Sequence, residues 1–152
     1  MKTKENDFEN AVLQKEEETS SRIHSININR KLEIRKQLWR AIASFYLDTE
    51  LTVYDYEAIA QIFKESNLSI STLKKIDLYE VFPVLKENLI SPTGVWEGFD
   101  EAWLNNACTA AYSKRLNPFF RWKMRFYNRV LYTMRKDHWT HIEQVLALQS
   151  IN

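Results

Sequence analysis

The chain has 152 residues, of which 45% are apolar and 13% aromatic, and its 21 basic and 20 acidic side chains leave a net charge of +1. This apolar content excludes an intrinsically disordered chain and is enough to form the core of one ordinary domain. With only two glycines and three prolines, the sequence is poor in the residues of glycine-rich phosphate loops and of turn-dense β-structure.

The single cysteine, Cys108, excludes an intramolecular disulfide, and its position in a helical apolar pattern predicts a buried structural thiol. No stretch approaches the roughly 20 apolar residues that cross a membrane. Residues 1–20 also lack the apolar run of a signal peptide. We therefore expect a cytoplasmic protein without a membrane partner.

Residues 1–28 are predicted to form a peripheral, less ordered N-terminal arm, because their few apolar residues are separated by a charged tract. Asn6 is suited to cap a helix that runs to Glu18, and Ser20 and Ser21 are expected to interrupt it. The remaining residues, 29–152, are predicted to form a single domain.

The first half of this domain has the spacing of three helices. Apolar residues three and four apart predict a helix over residues 30–47. Thr52 is placed to cap a second helix, with Asp55 completing a capping box, and this helix should end near residues 66–67. A third begins at Ser69 or Ser71 and runs to residue 89, with a kink or break expected at Pro83.

Residues 90–98 hold both glycines and a proline, which predicts a loop. Asp100 should cap a helix that runs to Lys114 and buries Trp103 and Leu104. After Asn117 and Pro118, a stripe of apolar residues at helical spacing predicts a central, buried helix. A short helix over residues 138–148 completes an all-α, single compact bundle of five or six helices. The stripe consists of Phe119, Trp122, Phe126, Val130 and Met134.

The near-zero net charge hides a segregation of charge along the chain. Residues 45–101 contain eleven acidic and four basic side chains, a net charge of −7, whereas residues 102–152 contain eight basic and two acidic ones, a net charge of +6. If the two regions face each other, their charges support packing. If either stays open, it forms a docking surface for an oppositely charged partner.

Signals of catalysis are weak. His138 and His141 lie three residues apart on a predicted helix, but two imidazoles without a nearby cysteine or a positioned carboxylate make at most a weak metal site. Nucleotide-loop and Cys-x-x-Cys motifs are absent. The sequence therefore predicts a protein without catalytic residues, bound metal or cofactor.

Two stretches resemble a family of small stand-alone bacterial proteins of unknown function. Residues 38–51 match its Trp-x-Ala-Leu-Ser-x-Leu-Phe-Leu-Asp-Thr-Glu-like start, with Ile42 and Tyr46 at positions where Leu and Phe are expected. Residues 94–100 match its Gly-x-Trp-x-Gly-Phe-Asp-like loop. The resemblance spans residues 35–105. The resemblance implies that this chain is an antidote protein of the kind that bacteria encode beside a toxin.

The leading hypothesis is a non-enzymatic bacterial immunity protein that occludes the active site of a cognate toxin through an acidic surface. The alternative is a nucleic-acid-binding or regulatory module that uses the basic C-terminal helix against phosphates. A homodimer or a subunit of a larger assembly is the third hypothesis. The predicted partner-binding residues are Asp48, Glu50, Asp55, Trp96, Glu97, Asp100 and Glu101.

Overall fold

A computed structural model describes residues 2–90 and 98–149, with their side chains except those of residues 2–13, 16 and 17. All regular secondary structure in these ranges is helical, which confirms the predicted all-α class. The chain divides into two units, residues 1–35 and residues 36–152.

Seven α-helices lie within the described ranges. They are α1 (Lys2–Ala43), α2 (Val53–Glu65), α3 (Ile70–Ile76), α4 (Phe82–Leu85), α5 (Glu101–Lys114), α6 (Pro118–Leu131) and α7 (Thr133–Gln149). A 3-10 turn, Ser44–Tyr46, follows α1, and a π-helical segment, Asp77–Val81, joins α3 to α4.

The first unit is the N-terminal part of α1. The helix continues through Ser20 and Ser21, so the predicted interruption is wrong. Short polar side chains are accommodated here because the hydroxyls of Thr19 and Ser25 donate hydrogen bonds to carbonyls four residues earlier in the helix. The described side chains between residues 14 and 30 are exposed.

The predicted N-caps are confirmed in the second unit. The Thr52 hydroxyl accepts a hydrogen bond from the Asp55 N–H, and the Asp55 carboxylate accepts one from the Thr52 N–H at 2.7 Å, which completes the capping box. Ser69, rather than Ser71, caps α3. The Asp100 carboxylate caps α5, as predicted. The Asn117 side chain, for which no capping role was predicted, caps α6 directly before Pro118.

The predicted break near Pro83 takes the form of the π-helical segment. Proline has no N–H to donate, and its ring would collide with the carbonyl of Tyr79, four residues earlier. The wider π turn avoids this collision, and the Phe82 N–H donates to the Asp77 carbonyl, five residues earlier. The same turn holds Asp77 and Glu80 in the interior.

The core of the second unit is aromatic. Trp139 on α7 stacks on Phe63 of α2 at 5.8 Å between ring centroids and meets Phe45 edge-on at 5.3 Å. Trp39 and Phe82 are completely buried. The Trp139–Phe63 contact holds α2 along α7, and the π-helical segment packs against α5 and α6.

Two predictions about burial are wrong. Trp103 is half exposed although Leu104 beside it is buried. On α6 only Met124 is buried, whereas the predicted core stripe lies on the outer face. Because α6 has a wide apolar surface, its sequence does not determine which face is buried. In the structure, the face that carries Met124 packs on the core. Helix α7 also begins earlier than the predicted residue 138.

Candidate functional site

The described members of the predicted partner-binding set are all exposed. Asp48 and Glu50 lie on the connection between the 3-10 turn and α2. Asp100 and Glu101 lie at the start of α5. Trp96 and Glu97 lie outside the described residues.

A cleft of about 210 Å³ brings two of these segments together. One wall is the end of α1 and the 3-10 turn, and the other is the segment that leads into α5. Leu47, directly before Asp48, lines one side, and Phe99 and Glu101, on either side of Asp100, line the other. We call the exposed carboxylates of these two segments, Asp48, Glu50, Asp100 and Glu101, the acidic rim. Glu101 lines the cleft itself, and the other three lie within three residues of a lining residue.

Some of these carboxylates also have structural roles. Asp100 accepts a hydrogen bond from the Trp103 N–H at 2.7 Å, and Glu101 forms an exposed ion pair with Arg40 at the cleft. Asp55 belongs to the capping box, and hydrogen bonds from the Thr52 hydroxyl and N–H lower the pKa of its carboxyl group. Among the described carboxylates of the set, Asp48 and Glu50 are thus the most available charges.

Beside the cleft, a second hollow of about 360 Å³ lies between the end of α4 and the start of α5. Phe99 and Trp103 line it, and their rings stack with centroids 6.2 Å apart. The half-exposed indole of Trp103 therefore provides an apolar contact next to the acidic rim. The sequence pattern assigned Trp103 to the core because its spacing to Leu104 and Cys108 fits one broad helix face.

Three charges that the sequence pattern counted with the segregated regions are in the interior. Asp77 accepts hydrogen bonds from Arg135 Nε at 3.2 Å, from Trp139 Nε1 at 3.0 Å and from the Tyr46 hydroxyl. Glu80 accepts from Trp39 Nε1 at 2.8 Å. The acidic and basic regions therefore pair internally at Asp77 and Arg135, while the acidic rim stays at the surface.

Tyr46 acts as a hydrogen-bond donor in this network. Burial, with a further contribution from the Asp77 carboxylate, raises the pKa of Tyr46 well above its ordinary value. The hydroxyl is therefore protonated at neutral pH and donates to Asp77. The donors around Asp77 make this cluster a structural centre of the core.

Cys108 is completely buried, which confirms the prediction for its thiol. Burial, together with the nearby Glu80 carboxylate, raises the pKa of Cys108 to about 12. A thiol with this pKa is protonated at neutral pH and is a poor nucleophile. Among the described residues, no group of three or more His, Cys, Asp or Glu side chains is placed to hold a metal ion.

The two histidines of α7 contact aromatic side chains. His138 stacks on Phe45, and its Nδ1 lies 2.7 Å from the Tyr56 hydroxyl, while His141 stacks on Tyr56. Burial lowers the pKa of His138, and the nearby His141 lowers it further.

The lowered pKa predicts a pH-dependent stability. Between the folded-state pKa of His138 and the unfolded value of about 6.5, the unfolded chain binds more protons, so the free energy of unfolding should fall as the pH drops below about 6.5. Urea unfolding at a series of pH values should show a shallower fall for His138→Phe than for the natural chain. The exposed His24→Gln variant is the control, and equal slopes for all three chains would contradict the prediction.

The outer face of α6 is the largest departure from the sequence-based expectation. Phe119, Trp122, Phe126 and Val130 are between 61% and 72% exposed. The rings of Phe119 and Trp122 lie 6.0 Å apart, and those of Trp122 and Phe126 lie 6.2 Å apart. Helical spacing detected this stripe correctly, but spacing alone does not distinguish a core face from a docking face.

A scan against protein-family models matches residues 33–145 to a domain of unknown function, DUF7079. The chain belongs to this family. The match covers the helices from the end of α1 to most of α7, including the cleft and the α6 face. Comparisons with curated proteins and with solved structures give no match. No described helix of this DUF7079 protein is long and apolar enough to span a bilayer.

Proposed function

We propose that this DUF7079 protein is a non-enzymatic immunity protein, which neutralises a cognate bacterial toxin by covering the toxin's active site with the acidic rim of the cleft. The observation that carries the proposal is that two separate segments with exposed carboxylates meet at one cleft, which Leu47 lines on one side and Phe99 and Glu101 line on the other. Such a cluster attracts a basic surface, which speeds encounter and favours one orientation of the partner.

The contact would combine charge with an apolar anchor. Asp48 and Glu50 would meet cations beside the toxin's active site, and Trp103 would supply the large aromatic surface that dominates many interfaces. The mechanism is steric: the bound protein blocks substrate access and takes no part in chemistry. The buried Cys108 thiol and the hydrogen-bonded Asp77 and Glu80 carboxylates fit a scaffold role for the interior.

Co-expression tests this proposal. The toxin domain would come from the gene beside the one that encodes this chain, and growth would be followed when that domain is expressed alone or with this protein. We expect the natural chain to restore growth and to form an isolable complex. Growth arrest that persists, with no complex formed, would contradict the proposed function.

Charge variants test the acidic rim itself. Asp48→Lys combined with Glu50→Lys should abolish most of the protection, because both residues are exposed and lie in a connection rather than in a helix. Asp100→Asn keeps the N-cap of α5 and removes only the charge. The matched control, Glu57→Lys with Glu65→Lys on α2, changes the net charge equally and should protect like the natural chain. Equal protection by both double variants would exclude the rim as the docking site.

A further inference from the structure

The outer face of α6 combines bulky apolar side chains with basic ones. Phe119, Trp122, Phe126 and Val130 follow one another at steps of three and four residues, so they form one stripe along the helix. Exposed Leu116 and Met134 lie just beyond its two ends. A contiguous apolar stripe of this kind on a soluble domain marks an interaction site.

The charges around this stripe have one sign. At about 100° per residue, Lys123 lies to one side of the stripe, and Arg129 and Arg125 lie to the other. All three are exposed. The sequence contains no aspartate or glutamate from residue 102 to residue 136. Because electrostatic potentials are complementary across an interface, a stripe that is flanked by cations on its own helix favours an anionic partner.

Contacts on the inner side hold α6 in this orientation. Met124 is buried, Arg125 Nε donates to the Tyr79 hydroxyl at 2.8 Å, and the Arg121 guanidinium lies over the Tyr79 ring at 4.5 Å. The apolar stripe is therefore presented outward by a helix that the core already fixes. Little ordering of α6 is needed for binding.

A groove of about 600 Å³ beside α6 extends the cationic surface. It lies between α4, α5 and α6, with small side chains of α5 among its lining residues. Lys86, Lys114 and Lys123 also line this groove, together with one acid, Glu87, which pairs with Lys86 at 3.3 Å. The net positive charge of the groove therefore comes from Lys114 on α5 and Lys123 on α6, because Lys86 is paired with Glu87.

We propose that the outer face of α6 binds the surface of an anionic lipid bilayer. Trp and Phe side chains would insert at the boundary between headgroups and acyl chains, and the flanking Lys and Arg side chains would contact the anionic headgroups. The helix would lie in the plane of the interface. This binding requires no spanning segment, so it is compatible with the described helices, none of which can cross a bilayer.

Two other occupants fit the face less well. A second copy that docked through the same face would place like charges of Lys123, Arg125 and Arg129 against each other, without an acid on either helix to pair with them. Single-stranded nucleic acid would use the aromatic rings for base stacking. Leu116, Val130 and Met134 offer no such stacking, whereas they gain free energy in an acyl environment.

Vesicle co-sedimentation tests the proposal with the full chain. The probes are vesicles of phosphatidylglycerol mixed equally with phosphatidylcholine, and vesicles of phosphatidylcholine alone. We expect the protein to sediment with the anionic vesicles, to remain in solution with the zwitterionic ones, and to be released by high salt. A chain that stays in the supernatant with both kinds of vesicle overturns the proposal.

Variants locate the binding to α6. Trp122→Ser with Phe126→Ser should lower the partition into anionic vesicles at least about tenfold, because two inserted rings are lost. Lys123→Gln with Arg129→Gln should also lower it. The control, Val53→Ser with Tyr54→Ser, removes exposed apolar groups of α2 and should bind like the natural chain. Equal binding by all of these chains overturns the assignment.

Separate measurements would detect the other two partners, a second copy of the chain and single-stranded nucleic acid. Light scattering that shows a dimer which Trp122→Ser with Phe126→Ser converts to a monomer would assign the face to self-association instead. A mobility shift of single-stranded DNA that the same variant abolishes, without vesicle binding by the natural chain, would assign it to nucleic acid. Circular dichroism checks that each variant keeps its helical content.

Discussion

Replacing Arg135 with methionine should lower the free energy of unfolding by about 3–5 kcal/mol. Arg135 is 1% exposed, and its guanidinium donates from Nε to Asp77 and from Nη2 to Asn128 Oδ1 at 2.6 Å. Its removal leaves the buried Asp77 carboxylate without its cation. Urea unfolding monitored by circular dichroism measures the loss.

Two further variants separate the cost of leaving a buried charge unpaired from the cost of losing the packing of an arginine side chain. Arg129→Met removes an exposed arginine and should change the free energy of unfolding by less than about 0.5 kcal/mol. Adding Asp77→Asn to Arg135→Met should recover at least about 1 kcal/mol, because the unpaired charge is then gone. A small effect of Arg135→Met, similar to that of Arg129→Met, would mean that Asp77 and Arg135 are not paired in the native interior.

Replacing Trp39 with alanine should also cost about 3–5 kcal/mol, whereas Trp122→Ala should change the free energy of unfolding by less than about 0.5 kcal/mol. Trp39 is completely buried, and its Nε1 donates to Glu80, so truncation leaves both a cavity and an acceptor without this donor. Trp122 is 63% exposed. The comparison, again by urea unfolding, uses the same residue type on two helices.

This pair also tests the orientation of α6. If Trp122→Ala destabilises the protein as much as Trp39→Ala does, the outer face of α6 is buried in the native molecule, and the core interpretation of the sequence pattern is correct. Trp39→Phe refines the comparison, because it preserves most of the ring volume and removes the hydrogen bond to Glu80. Its cost should lie between those of the two alanine variants.

Local signals in the sequence predicted much of the fold. The boundaries of α2 and α5 follow from caps, at Thr52 with Asp55 and at Asp100, that act within four residues of the chain. The break before Pro83 follows from a missing N–H donor. Such features are readable because each depends on residues that are neighbours in the sequence.

The errors arose where the outcome depends on distant contacts. Helix α6 has apolar residues on both faces, and the choice between Met124 and Trp122 as the buried side depends on how α6 meets the rest of the unit. Helical periodicity identifies an apolar stripe, but it does not show which stripe of a helix faces the core. The aromatic residues of α6 were therefore assigned to the core.

The sequence predicted the individual exposed acids of the candidate site, but not that their segments meet, because that depends on contacts between distant parts of the chain. Asp48 and Asp100 lie 52 positions apart, and only the fold brings their segments to one cleft. The segregation of charge along the sequence left internal pairing of the two regions open, but it did not identify Asp77 and Arg135 as the residues that pair. A buried partner for Arg135 is visible only once α7 packs near the π-helical segment.

The most direct test of the central claim is isothermal titration calorimetry with the toxin domain that the co-expression experiment identifies. The natural chain and the variant with Asp48→Lys and Glu50→Lys would be titrated at low and high salt. The immunity mechanism predicts a Kd at least about tenfold higher for the variant, with a smaller dependence on salt. A Kd and a salt dependence identical to those of the natural chain would contradict docking through the acidic rim.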